Sequence, residues 1–157
     1  MRKRIVKVEE GERAKGELDV AKIATVLVTS ESPDFPVENV FDDQRGPGGS
    51  RWVAAEPGVQ NLILEFDDPR SIHQIDLEVE EREVARTQEL WVSLSDDDGQ
   101  TYRELLRQEF HFSPPDTTFE REEWSISAED ITHLRIRIKP DKGGKPHRAT
   151  LTSLVLH

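Results

Sequence analysis

Six residues of this chain could together grip a small hydroxylated or anionic ligand: Arg86, His111, Phe112, Lys145, His147 and Arg148. Arginine presents planar, multidentate donors that suit hydroxyl and carboxylate groups. Phe112, or Phe110 two residues earlier, offers an apolar ring face on which the apolar patch of a sugar ring can lie. The competing reading of these cations is ordinary loop solubility, with local pairing to Glu81, Glu83 or Asp141. His111 and His147 fall in long connections and could meet in space. Zinc would need further close ligands, and His73 and His133 lie on strand-like runs instead.

Other residue types suggest chemistry less strongly. Paired carboxylates can do acid–base work on glycosidic bonds. The acidic stretches 78–83 and 120–123, however, alternate across strand faces and mix with arginine, which reads as solvated surface. The chain has no nucleophile elbow, phosphate loop or dinucleotide fingerprint. Trp52, Trp91 and Trp124 could be sugar platforms, but core or sheet-covering roles are the expectation, with Trp91 the most exposed. Ser95-Asp96-Asp97-Asp98-Gly99-Gln100-Thr101-Tyr102 looks like the Asp-box hairpin of several β-folds, with Asp97 accepting turn amides and Gly99 taking positive φ. It lacks the alternating acids of an EF-hand, because Leu94 occupies the first of those positions.

The elements that must carry these residues are strands. Apolar residues alternate with polar ones over 22–30, 61–66, 72–80, 89–95, 102–112, 119–126, 133–139 and 150–156. Period-two alternation on this scale predicts antiparallel strands with one wet face. No amphipathic helix is expected, beyond a short helical turn near residues 37–41. The connections alternate in character. Those at 67–71, 96–101 and 127–132 are short, with turn chemistry, whereas 31–51, 81–88, 113–118 and 140–149 are long or carry glycine and proline. In an antiparallel sandwich, alternate connections emerge at one end. The irregular ones should therefore gather at one pole, away from both chain ends, where a scaffold holds recognition residues.

Bulk properties bound the function. A chain of 157 residues suits one domain, here 21–157 preceded by a polar arm over 1–20 in which Ile5, Val6 and Val8 could add an edge strand. A net charge of −11 argues against nucleic acid and anionic membranes, both of which call for a basic surface. The absence of cysteine removes disulfides and thiolate sites. Met1-Arg2-Lys3-Arg4 is followed by an apolar run that Lys7 and Glu9 interrupt, so neither a signal peptide nor a membrane span is expected and a cytoplasmic location is inferred.

Three segments in order resemble a known superfamily. They are Thr29-Ser30-Glu31 with Pro36 to Asp43 and Ser50-Arg51-Trp52, then Asn61 to Ile75, then Val92 to Tyr102. Over roughly 21–157 the chain resembles the galactose-binding-like superfamily, comprising discoidin or coagulation-factor C-type domains and carbohydrate-binding relatives. The resemblance implies an all-β, eight-stranded antiparallel jelly-roll sandwich that recognises glycans, lipid headgroups or proteins through loops at one pole. It requires no cofactor. It does imply a structural calcium beside the first long loop, at positions held here by Asp42, Asp43 and Ser50. The family's closing acid on the last strand is replaced by Ser153, and Asp43 stands where a glycine is usual. The expected function is a non-catalytic recognition module, with a glycan as partner; the alternative is an intracellular protein-interaction domain. An enzyme on this scaffold would need a deep pocket with convergent titratable groups.

Overall fold

Alternation of side chains sets the strands. The computed structural model describes residues 1–3 and 16–157, so the expected edge strand at Ile5, Val6 and Val8 lies outside the described residues. The strands are β1 (Ala24–Val28), β2 (Trp52–Pro57), β3 (Gln60–Glu80), β4 (Arg86–Ser95), β5 (Arg103–Phe112), β6 (Phe119–Lys139), β7 (Arg148–Leu151) and β8 (Ser153–Leu156). One helical turn, Val20–Ile23, precedes β1, and a 3₁₀ turn, Val37–Phe41, forms where the sequence places one. Leu18 and Val20 pack on the core, so the packed body begins just ahead of residue 21. Among the described residues, no helix is long and apolar enough to cross a membrane.

All pairings are antiparallel. One sheet runs β1-β3-β6-β4-β5, with β8 on the far half of β3, and β2 pairs with β7. The first half of β3 pairs with β1 (Val28↔Leu62) and with the second half of β6 (Leu62↔Ile136). Its second half pairs with β8 (Leu77↔Leu154) and with the first half of β6 (Ile75↔Trp124). Each long strand thus serves both layers of the sandwich, bending where the register shifts between Glu65 and Gln74.

Two expected turns are corrected here. Residues 67–71 and 127–132 are irregular middles of β3 and β6, not connections. Pro69 has no amide to give a ladder and Asp130 sits at φ 56°, so the turn-like chemistry produces a bend within a strand instead of ending it. Strand β2, which was not expected, exists because β7 pairs with it (Trp52↔Leu151).

The inward set is the one that alternation selects. Leu62, Leu64, Ile75, Leu77, Leu90, Val92, Leu134, Ile136 and Ile138 are fully buried. Trp52 joins them, and Trp124 packs half-buried against the core. A buried polar thread ties the layers together. The Gln88 side-chain amide donates to the Thr150 carbonyl (2.9 Å), and the Thr150 hydroxyl donates to the Trp52 carbonyl (2.8 Å).

Three of the four irregular connections gather at one pole as expected, whereas the first, 31–51, also reaches the terminal segments through Arg45 and Glu17. The bends of β3 and β6 and the 96–102 hairpin share one end, where the Thr132 hydroxyl accepts from the Asp98 amide (3.0 Å) and His157 bonds Gln74. Connections 81–85, 113–118 and 140–147 share the other, joined by Glu81 N–H to Thr118 O and Lys142 N–H to Thr87 O, both 2.8 Å.

The 96–102 hairpin is the structural turn that its residues predict. Asp97 accepts from the Ser95 hydroxyl (2.6 Å), the Thr101 amide (2.9 Å) and the Thr101 hydroxyl. These bonds, led by Ser95, pull its carboxyl down from 3.8 to about 2. A carboxyl depressed in the folded state stabilises fully above its unfolded value and loses that contribution as pH falls through the folded one. Asp97→Asn is therefore expected to remove part of the stability decline between 3.8 and about 2, read as the pH dependence of the melting temperature. An unchanged acid limb would show that the turn bonds contribute nothing.

Candidate functional site

The irregular pole is organised by Arg86, at the start of β4. Its side chain is only 4% exposed. Nε donates to Glu81 (2.8 Å), and one terminal nitrogen donates to the carbonyls of Pro140 (3.0 Å) and Arg148 (2.8 Å). One guanidinium so joins the 81–85 connection to both ends of the 140–147 connection. Burial pushes its pKa down, and Glu81 opposes that shift. Arg86 was expected to face a ligand; it belongs to this pole, but these donors are spent inward.

The first long connection is tied down by carboxylates on β3. Glu80 accepts from the Gly48 amide (2.7 Å) and pairs with Arg82 (2.8 Å), while Glu78 accepts from the Gly46 amide (2.9 Å). Gly48 takes φ 80°, which suits glycine in so tight an approach. Asp76, Glu78 and Glu80 are consequently buried, not the solvated face that their alternation suggests. The covering amides and Arg121 come from elsewhere in the chain.

Between these loops lies a cleft of about 520 Å³. Arg51, Arg82 and Arg148 bring cations, Glu80 and Glu83 carboxylates, and His147 an imidazole. Val53, Val84 and Pro146 form its apolar wall, and no Phe, Tyr or Trp ring of the described residues lines it. Arg51 is held over the Phe35 ring at 4.5 Å, which limits its freedom. His147 Nδ1 bonds Asp141 (2.7 Å). Asp141 is held below the ordinary carboxyl range although burial pushes the other way, because the Gly143 amide and His147 outweigh burial.

The expected ligand residues are only partly brought together. Arg86, His147 and Arg148 line the cleft, and exposed Lys145 sits in the adjoining loop. His111 lies on β5, hydrogen-bonded to Thr87 (2.8 Å) and near Glu109, so the possible meeting of His111 with His147 does not occur. Phe112 and Phe110 are 4% and 1% exposed and sit in the core, so neither is a platform. Their parity explains this: alternate residues share a face, and Phe110, Phe112 and the core share one while His111 takes the other. Arg51, Arg82 and Val84 were missed. The signal available was their position inside irregular connections.

The expected calcium donors are engaged by groups of the chain itself. Asp42 accepts from the Ser50 hydroxyl and from the Gln44 amide (3.0 Å). Asp43 pairs with Arg45 (3.1 Å), whose guanidinium forks onto Glu17 at 2.9 and 3.0 Å. A cationic side chain thus lies beside Asp43, and Ser153 lines the same hollow with Arg45. Melting curves with added calcium and with a chelator are accordingly expected to coincide. A rise of several degrees with calcium would show that the Arg45 pairing yields to the ion.

No family profile and no curated protein matches the chain. Solved structures do. CBM32-3 from a family 31 glycoside hydrolase of Clostridium perfringens superposes with TM-score 0.66 at 16% identity, covering 91% of this chain and 95% of that one. The family 32 carbohydrate-binding module of C. perfringens NanJ, solved with galactose, gives 0.59 at 13% identity, over 90% and 97%. The CBM32 of AlyQ, solved with 4,5-unsaturated mannuronic acid, gives 0.60 at 15% identity, over 86% and 95%. The chain thus shares the antiparallel β-sandwich fold of these modules.

Proposed function

We propose that the protein is a non-catalytic carbohydrate-recognition module that binds saccharides in the cleft at its irregular pole. One observation carries this reading: connections 31–51, 81–85 and 140–147 converge on a cleft of about 520 Å³, and one buried guanidinium locks the last two together. The shared fold supports it, since the similar structures are carbohydrate-binding modules and one was solved with galactose. Saccharide hydroxyls both donate and accept, and the cleft offers both partners. Arg51, Arg82 and Arg148 donate, Glu83 accepts, and Val53, Val84 and Pro146 meet the apolar side of a ring. Glu80 and Glu81 are engaged by Arg82 and Arg86, which suits holding a ligand better than moving protons.

A glycan array followed by NMR titration tests this. Shifts are expected at Arg51, Arg82, His147 and Arg148. Arg148→Ala is expected to weaken binding at least about tenfold, because one charge-assisted hydrogen bond contributes about 1.5–3 kcal/mol. No saccharide binding, or shifts confined to the opposite pole, would overturn the reading. A single stoichiometric protein partner retained without sugar would favour the interaction-domain alternative.

A further inference from the structure

The outward face of the β3-β6-β4-β5 sheet carries a second constellation, sharing no lining residue with the polar cleft. Arg135, Arg137 and Lys139 alternate along β6, so their side chains leave the same face about 7 Å apart. Trp91 on β4 lies opposite Arg137, and Arg107 on β5 lies opposite Trp91. Together with Val59, Ser93 and Glu104, Trp91 and the three β6 cations line a trough of about 440 Å³.

Arg107 pairs with Glu104 (3.7 Å), while the three β6 cations are positioned without an ion pair among the described residues. The Arg135 guanidinium stacks on Tyr102 at 4.1 Å and that of Arg107 on Trp91 at 5.2 Å. No carboxylate of the described residues forms an ion pair with Arg135, Arg137 or Lys139. The buried Nε of Arg135 has no hydrogen-bond partner there either. The trough lining itself holds three cations and one carboxylate, Glu104, with Glu89 opposite Lys139 at its end, in a chain of net charge −11. Concentrated cations of this kind attract anions, and arginine forks match carboxylates.

We propose that this sheet face is a second binding site, which takes an acidic polysaccharide whose sugar rings carry carboxylates. The half-buried Trp91 and exposed Val59 supply apolar surface between the cations, and Ser93 supplies a hydroxyl. A uronate ring offers both an apolar face and a carboxylate on one rigid unit, whereas an acidic peptide offers carboxylates on flexible stems alone. The proposal stands on this face and does not depend on the reading of the polar cleft.

Affinity electrophoresis and calorimetry with polygalacturonate, neutral galactan and poly-glutamate separate the outcomes. Polygalacturonate is expected to bind, and the exposed-face double variant Arg137→Gln/Lys139→Gln to weaken it at least about tenfold while melting normally. Arg148→Ala, at the other site, is expected to leave that binding unchanged. No binding of polygalacturonate, equal binding of neutral galactan, or full binding by the double variant would overturn the proposal. So would loss of binding on Arg148→Ala, which would move the acidic saccharide to the polar cleft. Equal binding of poly-glutamate would reduce the face to general anion attraction and overturn the saccharide assignment.

Discussion

Arg86→Ala is expected to destabilise the protein by about 3–5 kcal/mol, since it strands a buried partner of an ion pair. The side chain is 4% exposed and Glu81, its partner, is 15% exposed. Truncation leaves Glu81 without its cation and frees the carbonyls of Pro140 and Arg148 from their donor. Denaturant unfolding reads the loss as a lower midpoint at unchanged slope. Arg86→Lys should recover only a minor part, because an ammonium cannot reproduce a fork that reaches two carbonyls and a carboxylate. Hydrogen exchange should accelerate at Lys142 and Gly144, whose amides are bonded within this cluster, and saccharide binding at the polar cleft should fall with it. A loss below about 1 kcal/mol would show that the loops hold their places without the clamp.

Trp52→Ala is expected to cost a similar amount, about 3–5 kcal/mol, through the cavity left by a large ring with no solvent access. Trp52 sits at the head of β2, opposite Leu151 of β7, and its indole N–H donates to the Ser30 carbonyl (3.0 Å) at the exit from β1. The substitution removes core volume and also the bond that fixes where the first long connection starts. Trp52→Phe keeps most of the apolar contact and should cost less than half as much, the remainder being the lost hydrogen bond, about 0.5–1.5 kcal/mol. Equal losses for the two variants would assign the effect to that bond; a negligible loss for alanine would contradict the packing.

Which strand residues face inward was legible in consecutive residues. Leu134, Ile136 and Ile138 are buried and Arg137 exposed because successive side chains in an extended chain point to opposite faces. The same rule, applied to Phe110 and Phe112, already puts both on one face with His111 on the other, and their burial needed no distant information beyond which face is covered. Strand β2 was illegible because only Trp52 and Ala54 mark its inner face; the ladder to β7, about a hundred residues on, makes it a strand. The Asp-Asp-Pro at 67–69 signals a break in pairing, and the sequence does not say whether the chain then reverses or bends into the second layer.

The candidate site follows the same division. Loop character was enough to place connections 81–85, 113–118 and 140–147 at one pole, but not to show that 67–71 and 127–132 are bends or that 31–51 reaches the terminal segments. Composition could not tell a ligand-facing arginine from a clamp. Arg86 turns inward because the carbonyls of Pro140 and Arg148 and the carboxylate of Glu81 meet around it, and those groups come from separate connections. Asp76, Glu78 and Glu80 read as a solvated edge yet are covered, because glycine amides some thirty residues away and Arg121 supply what water would otherwise provide. Local periodicity therefore determined most of the strands and the inner face. Only the folded chain decided which polar groups are consumed in holding those loops and which remain for a ligand, because that depends on donors and acceptors far apart in sequence.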